Sequence, residues 1–212
     1  MIISVVGASG FIGLELVKKL INSGNQIRIL SRNKYYPIKG VKVFVADLTD
    51  PNIDIDDFLD NVDILYNCAG EVKNESLMRG LHVDGTKRLL DRSREKVARW
   101  VQLSSVGAYG ACHAEMITEN SVENPVGNYE ITKTEADDLI RESGMRYVIL
   151  RPSNVFGLTM SNQSLFQLVK IVHKNSNDKL EQRGRARTAF RECSCRFFIG
   201  KCSGSAQGMP KC

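Results

Sequence analysis

No stretch of this chain approaches the ~18 consecutive apolar residues that a membrane-spanning helix needs, so no spanning helix is predicted. No secretory leader is predicted either. Ile2-Ile3-Ser4-Val5-Val6 is apolar, but it is short, has no basic segment before it and runs straight into glycine. It reads as a buried strand, and the cytoplasm is the expected compartment. Cysteine is sparse over residues 1–173, where only Cys68 and Cys112 occur, which excludes a disulfide framework and implies reduced thiols. Internal repeats are also lacking. The same 173 residues have almost no net charge (−1), and the basicity of the chain belongs to residues 174–212, which carry +6. That tail holds Cys193, Cys195, Cys202 and Cys212 but lacks the paired C-x2-C spacing of a compact zinc site, so no metal is expected. Its arginines (Arg183, Arg185, Arg187, Arg191) come without an aromatic platform or a recognised fold, so no nucleic-acid partner is expected. A polar, basic, non-periodic segment buries little surface, and residues 173–212 are expected to be poorly ordered after a domain at 1–172.

What is present is an alternation of strands and helices. Apolar runs at 2–6, 27–30, 41–45, 62–66, 99–103 and 147–150 predict six strands. Helical periodicity follows the first strand through Leu14, Leu16, Val17, Leu20 and Ile21, with Gly24 as a stop. Further helices are predicted over about 81–96 and 129–143, and another ending at Val172. Such alternation implies parallel crossovers and an α/β doubly wound sheet, the Rossmann fold.

Gly7-Ala8-Ser9-Gly10-Phe11-Ile12-Gly13 lies between the first strand and its helix, where a glycine triplet binds a dinucleotide pyrophosphate. Gly7 permits the tight turn, Gly10 lets backbone approach the phosphates, and Gly13 lets helix and strand pack closely. The second strand ends Leu30-Ser31-Arg32-Asn33, with no acid at its tip to bind an adenine-ribose 2′-hydroxyl. Ser31 can hydrogen-bond and Arg32 can pair with a 2′-phosphate, so NADP is expected ahead of NAD; a solvated Arg32 is the competing reading. Asp47-Leu48, ending the third strand, is placed to reach the adenine, or Asp47 is a turn residue or helix cap. Ala69-Gly70 ends the fourth strand at the same sheet edge.

Tyr129 and Lys133, four apart on a predicted helix, share one face. A phenol of pKa ~10 is a poor base at neutral pH, and a nearby ammonium would favour its ionisation. Ser105, after the fifth strand, can hydrogen-bond the same substrate oxygen. The chemistry implied is hydride transfer at a carbinol or carbonyl carbon, with a proton moving on its oxygen.

These segments, together with Ala46-Asp47-Leu48, Asn67-Cys68-Ala69-Gly70, Gly85-Thr86, Ser104-Ser105-Val106-Gly107-Ala108-Tyr109-Gly110 and Leu150-Arg151-Pro152-Ser153-Asn154-Val155-Phe156-Gly157, resemble the extended branch of the short-chain dehydrogenase/reductase superfamily, the NAD-dependent epimerases and dehydratases, over residues 1 to about 172. The resemblance implies Tyr129 as general acid/base, Ser105 as its substrate-binding partner, and Lys133 holding the nicotinamide ribose and tuning the tyrosine. Gly7, Ser9, Gly10, Phe11, Ile12, Gly13, Ala69, Gly70 and Pro152 would contact the cofactor, with Arg151-Pro152 bordering a pocket for a small-molecule substrate such as a nucleotide sugar. It also implies a homodimer through the helices at 81–96 and 129–143, where Leu89, Leu90, Ala136, Leu139 and Ile140 serve either the interface or the core.

Two departures stand out. Relatives often carry Asn-Val-x-Gly-Thr where this chain has His82-Val83-Asp84-Gly85-Thr86, and an ordinary helix histidine is the expected reading. Beyond Val172 the family pattern fades, so most of the substrate subdomain is expected to be missing and the chain to be truncated or frameshifted. Dehydratases of the family usually carry acids beside the serine. Val106-Gly107 stands there instead, which favours an epimerase or a reductase, steroid-like and flavonoid-like carbonyls being candidate substrates. A catalytically silent nucleotide-binding protein is the competing function.

Overall fold

The computed structural model describes residues 1–111 and 116–157. Those up to Ser153 belong to one compact unit, and the remaining four, 154–157, to a second. Six parallel strands form one sheet: β1 (Ile2–Val6), β2 (Gln26–Ser31), β3 (Val41–Val45), β4 (Ile64–Asn67), β5 (Trp100–Leu103) and β6 (Tyr147–Leu150). Their order is β3-β2-β1-β4-β5-β6, which puts the reversal of winding between β1 and β4. The doubly wound sheet expected from the sequence is therefore present. The boundary expected at residue 172, the helix ending there and the tail lie outside the described residues.

Burial on both faces explains why the strands read as nearly continuous apolar runs. On β1, Ile3 and Val5 point to the face covered by α1 (Phe11–Asn22), where they meet Val17, Ile27 and Ile29. Val6 points to the other face, into a cluster that includes Leu65, Leu89, Trp100 and Ile140. Ser4 shares that second direction at a fully buried position, and its hydroxyl is satisfied by donating to the Phe58 carbonyl at 2.8 Å.

The helices differ from expectation in one instructive place. After a single turn, α2 (Asp56–Leu59), three segments run in succession instead of one helix over 81–96: α3 (Glu75–Arg79), a π-helical turn (Gly80–Asp84) and α4 (Gly85–Ser93). The start was hidden because 71–76 is polar; Asn74 caps it, its side-chain oxygen accepting from the Ser76 amide at 3.2 Å. The helix stops early because Ser93 Oγ bonds back to the Leu89 carbonyl at 2.6 Å and Glu95 takes a positive φ of 64°. The last helix among the described residues, α5 (Asn128–Glu142), and β6 follow the expected positions. Leu89, Leu90, Ala136 and Ile140 are buried within this one chain, and Leu139 packs against the same cluster, so the core accounts for all five. Among the described residues no helix is long and apolar enough to cross a membrane.

The register of β1 on β4 pairs Val6 with Asn67, so Gly7 comes beside Cys68. Gly7 has φ +72°, and a Cβ there would lie 2.6 Å from the backbone of Cys68 and Ala69. A Cβ on Gly13 would overlap the carbonyl of Gly7. Gly7→Ala is therefore expected to cost about 2–4 kcal/mol, because neither the conformation nor the backbone opposite can yield. Urea unfolding reads this as a lower midpoint at unchanged slope, and an unchanged midpoint would mean the turn is looser than drawn.

Candidate functional site

The glycine turn leads into α1 with Gly10 at its N-cap and no side-chain cap. The first helical bond runs from the Leu14 amide to the Gly10 carbonyl at 2.9 Å, so the amides of Phe11, Ile12 and Gly13 have no partner within the helix. Ser9 and Gly10 are exposed in front of them, while Ala8 is buried. A residue that sequence reasoning passed over holds the turn from behind: Tyr36 Oη donates to the Ala8 carbonyl at 2.9 Å, and burial pushes its phenol up to about 12. No sequence signal marks it, because its partner is 28 residues away.

At the tip of β2, Ser31 Oγ accepts from the Asn33 amide at 3.1 Å, and Arg32 and Lys34 are exposed. Asp47 is a turn residue. One of its carboxylate oxygens accepts from the Thr49 amide (2.9 Å) and the Thr49 hydroxyl (2.7 Å), and these bonds, with a smaller pull from the Arg32 cation, hold the carboxyl below its usual range. Leu48, beside it, is 4 % exposed, and its side chain belongs to the core.

The opposite wall comes from β4, β5 and α5. Asn67, buried at the end of β4, donates to Thr86 Oγ1 at 3.1 Å and accepts from the Ala69 amide at 3.3 Å, which fixes the chain as it leaves the sheet toward Gly70. After β5, Ser105 caps a short 3-10 turn, Val106–Tyr109, its Oγ accepting from the Gly107 amide at 3.1 Å. Gly107 is wedged against the first turn of α5. A Cβ there would lie 2.6 Å from Glu130 Cγ and 3.3 Å from Ser105 Oγ, so Ser105 stands beside the turn that carries Tyr129. Pro152, half-buried, accepts from the Val106 amide at 3.1 Å and braces the same turn.

Lys133 is almost fully buried, and its Nζ reaches the Ala69 carbonyl at 3.4 Å. Burial brings its ammonium down to about 8, against the pull of Asp137 and Cys68. The expectation that Lys133 would ease Tyr129 toward ionisation is not met. Burial, helped by the Glu130 carboxylate, raises the Tyr129 phenol above its ordinary value. Arg151 likewise turns inward rather than bordering open space. Its guanidinium donates to the fully buried Asp137 at 2.9 Å, pairs with Glu123 at 2.7 Å and stacks over Tyr109. Ser104 donates to the same Asp137 oxygen at 2.6 Å. Among the described residues no group of His, Cys, Asp or Glu is placed to hold a metal ion.

His82 is not the ordinary helix histidine expected. It is 2 % exposed on the π-helical turn, its Nε2 accepts from the Glu71 amide at 2.8 Å, and its Nδ1 lies 2.8 Å from Thr132 Oγ1. Its ring meets that of Tyr129 edge to face at 5.5 Å.

Residues 3–190 match the family model described as "NAD dependent epimerase/dehydratase family". The chain belongs to that family. Among curated proteins it is 25 % identical over 162 residues to the ceramide reductase of Caulobacter vibrioides, covering 74 % of this chain and 47 % of that one. It is 27 % identical over 175 residues to the UDP-glucose 4-epimerase of Lactobacillus helveticus, covering 74 % and 52 %. The fold also matches that of Bordetella bronchiseptica WbmG, solved with NAD and UDP, at a TM-score of 0.71 and 20 % identity over 82 % of this chain and 59 % of that one. The chain thus spans about half the length of these two curated relatives.

His82 supplies a pH dependence. Burial, with the Lys133 cation adding to it, holds the folded imidazole down to about 4 from 6.5. Stability from this group is complete above pH 6.5 and declines as pH falls toward 4, by up to about 3 kcal/mol, because the unfolded ring takes a proton that the folded one refuses. Urea titrations between pH 7 and pH 4.5 are expected to show a steeper acid loss in the wild type than in His82→Asn. Equal losses would mean the ring is hydrated.

Proposed function

We propose that this family member is an NADP-dependent oxidoreductase, acting as an epimerase or carbonyl reductase on a small molecule such as a nucleotide sugar. Tyr129 would exchange the proton on the substrate oxygen. The observation that carries the reading is the buried Lys133 ammonium, one helical turn from Tyr129 and against the Ala69 carbonyl, on the sheet edge that the glycine turn opens. Open α/β sheets bind their ligands at the point where the winding reverses, and this is that point.

The residues fit a dinucleotide. The turn admits no side chain at Gly7 or Gly13, and it leaves three unpartnered amides behind exposed Ser9 and Gly10, a seat for a pyrophosphate. Arg32 and Lys34, exposed beyond Ser31 with Asp47 tied to Thr49, suit a 2′-phosphate better than a 2′-hydroxyl. When bound, NADP supplies two-electron chemistry as hydride transfer. The chain's own residues do the rest. Lys133 is a donor for a ribose hydroxyl. Ser105 Oγ accepts from Gly107 and keeps its own hydrogen for the substrate oxygen. Tyr129 holds the proton that moves on that oxygen. Val106-Gly107, apolar beside Ser105, offers no second acid, which supports epimerase or reductase chemistry over dehydration.

Two measurements test this. Fluorescence titration is expected to give tighter binding for NADPH than for NADH, with Arg32→Ala removing most of the difference; equal affinities untouched by the substitution would discard the NADP reading. Tyr129→Phe is expected to keep NADPH affinity and lower kcat by about 10²–10⁴ on any UDP-hexose or ketone the protein turns over. Binding with no turnover across both substrate sets would favour a silent nucleotide-binding protein.

A further inference from the structure

The π-helical turn Gly80–Asp84 interrupts the run of helix between α3 and α4. Gly80 has open space where a Cβ would sit, so no contact at that residue demands the distortion. What the extra residue in the turn accomplishes is to aim His82 inward, between two parts of the site that approach from different elements. One is the stretch leaving β4, where Ala69 meets Lys133 and the Glu71 amide meets His82. The other is the first turn and a half of α5, with Tyr129, Thr132 and Lys133.

The proton inventory around His82 has one solution. The Glu71 amide can only donate, so Nε2 carries no proton. In the neutral ring Nδ1 then carries it and donates to Thr132 Oγ1. Thr132 passes its own hydroxyl hydrogen to the Asn128 carbonyl at 2.7 Å, one turn earlier in α5. Every donor along this line has an acceptor, and no ring nitrogen is left to exchange protons with substrate. Burial and the nearby Lys133 cation keep the ring neutral. On the far side of Glu71, its carboxylate accepts from the Lys73 (2.8 Å) and Asn74 (3.1 Å) amides and closes the loop that His82 anchors. Two exposed links, Asn128 to Glu75 and Arg79 to Glu135, join α3 to α5 outside this line. Exposed pairs contribute little, so the buried histidine is the firm connection.

We propose that His82 is a positioning residue for the proton-transfer site, clamping the Ala69–Glu71 stretch to the α5 turn of Tyr129 and Lys133 and supporting the Tyr129 ring edge-on. It is no proton relay. The proposal rests on the reading of Tyr129 and Lys133 given above.

The test uses the full chain without substrate. In the wild type, imidazole nitrogen NMR is expected to show His82 protonated on Nδ1 and unchanged between pH 5.5 and pH 8.5. An Nε2-protonated ring, or a midpoint in that range, overturns the proposal. His82→Ala removes both bonds and admits water beside Tyr129. The Tyr129 midpoint, followed by carbon-labelled tyrosine NMR, is expected to fall by about half a pH unit or more. NADPH affinity is expected to fall about fivefold, and His82→Gln, which can accept from Glu71 and donate to Thr132, to recover most of both. Unchanged midpoint and affinity in a folded His82→Ala protein, or no recovery in His82→Gln, sinks the idea. If the alanine variant does not fold, Thr132→Val, which breaks only the second bond, is to lower the Tyr129 midpoint in the same direction; no movement overturns the clamp. Should the wild type bind no NADPH, the cofactor reading fails, and the ligand-free Tyr129 midpoint still decides the role of His82.

Discussion

Everything at the carboxyl edge of this sheet depends on how closely the backbone leaving β1 lies against the backbone leaving β4. Gly7 stands where a Cβ would touch the peptide between Cys68 and Ala69, and Gly13 stands where one would strike Gly7 itself. The closeness has two results. It turns the chain sharply enough for α1 to start with its amides toward the edge, and it brings Ala69 into reach of Lys133 from α5. One contact between glycine and backbone thus sets the distance between the glycine turn and the Lys133 side of α5. Tyr36, bonded to Ala8, holds the turn from the opposite side.

The second constraint is electrostatic. Lys133 and Asp137 lie one turn apart on the buried face of α5, and a charge taken out of water is costly unless it is paired and hydrogen-bonded. Asp137 accepts from Ser104 and Arg151, and Arg151 also pairs with Glu123, which Arg141 binds as well. This chain of alternating charges ties the end of β5, the end of β6, the loop before α5 and α5 itself into one piece. Ser105 follows Ser104 directly, so the network that neutralises Asp137 also fixes the serine of the site.

Strand positions and the glycine turn were legible in the sequence because each is written in neighbouring residues: an apolar run, then glycines, then a helical period. Tyr129 and Lys133 were legible for the same reason, being four apart on one helix. Partners remote in the chain were not. His82 meets Thr132 across 50 residues, Tyr36 meets Ala8 across 28, and neither leaves a local pattern. The π-helical turn was invisible because a five-residue distortion hardly disturbs a helical period. The burial of Leu48 was not legible either: it follows Asp47 at a strand end that suits a ligand, and its apolar side chain packs into the core.

The direction of the Tyr129 shift bears on which way the chemistry leans. Burial raises the phenol above its ordinary value and lowers the Lys133 ammonium to about 8. Desolvation penalises the charged form of each group, the phenolate of Tyr129 and the ammonium of Lys133. Around neutral pH Lys133 keeps its charge and Tyr129 keeps its proton. A tyrosine in that state is ready to donate, which is what protonating the oxygen of a reduced carbonyl requires. Taking a proton from a carbinol requires the phenolate, which positive charge brought beside Tyr129 would favour and further loss of water would not. On the proposed reading, then, burial keeps Tyr129 a proton donor, and a base role calls for added positive charge at the site.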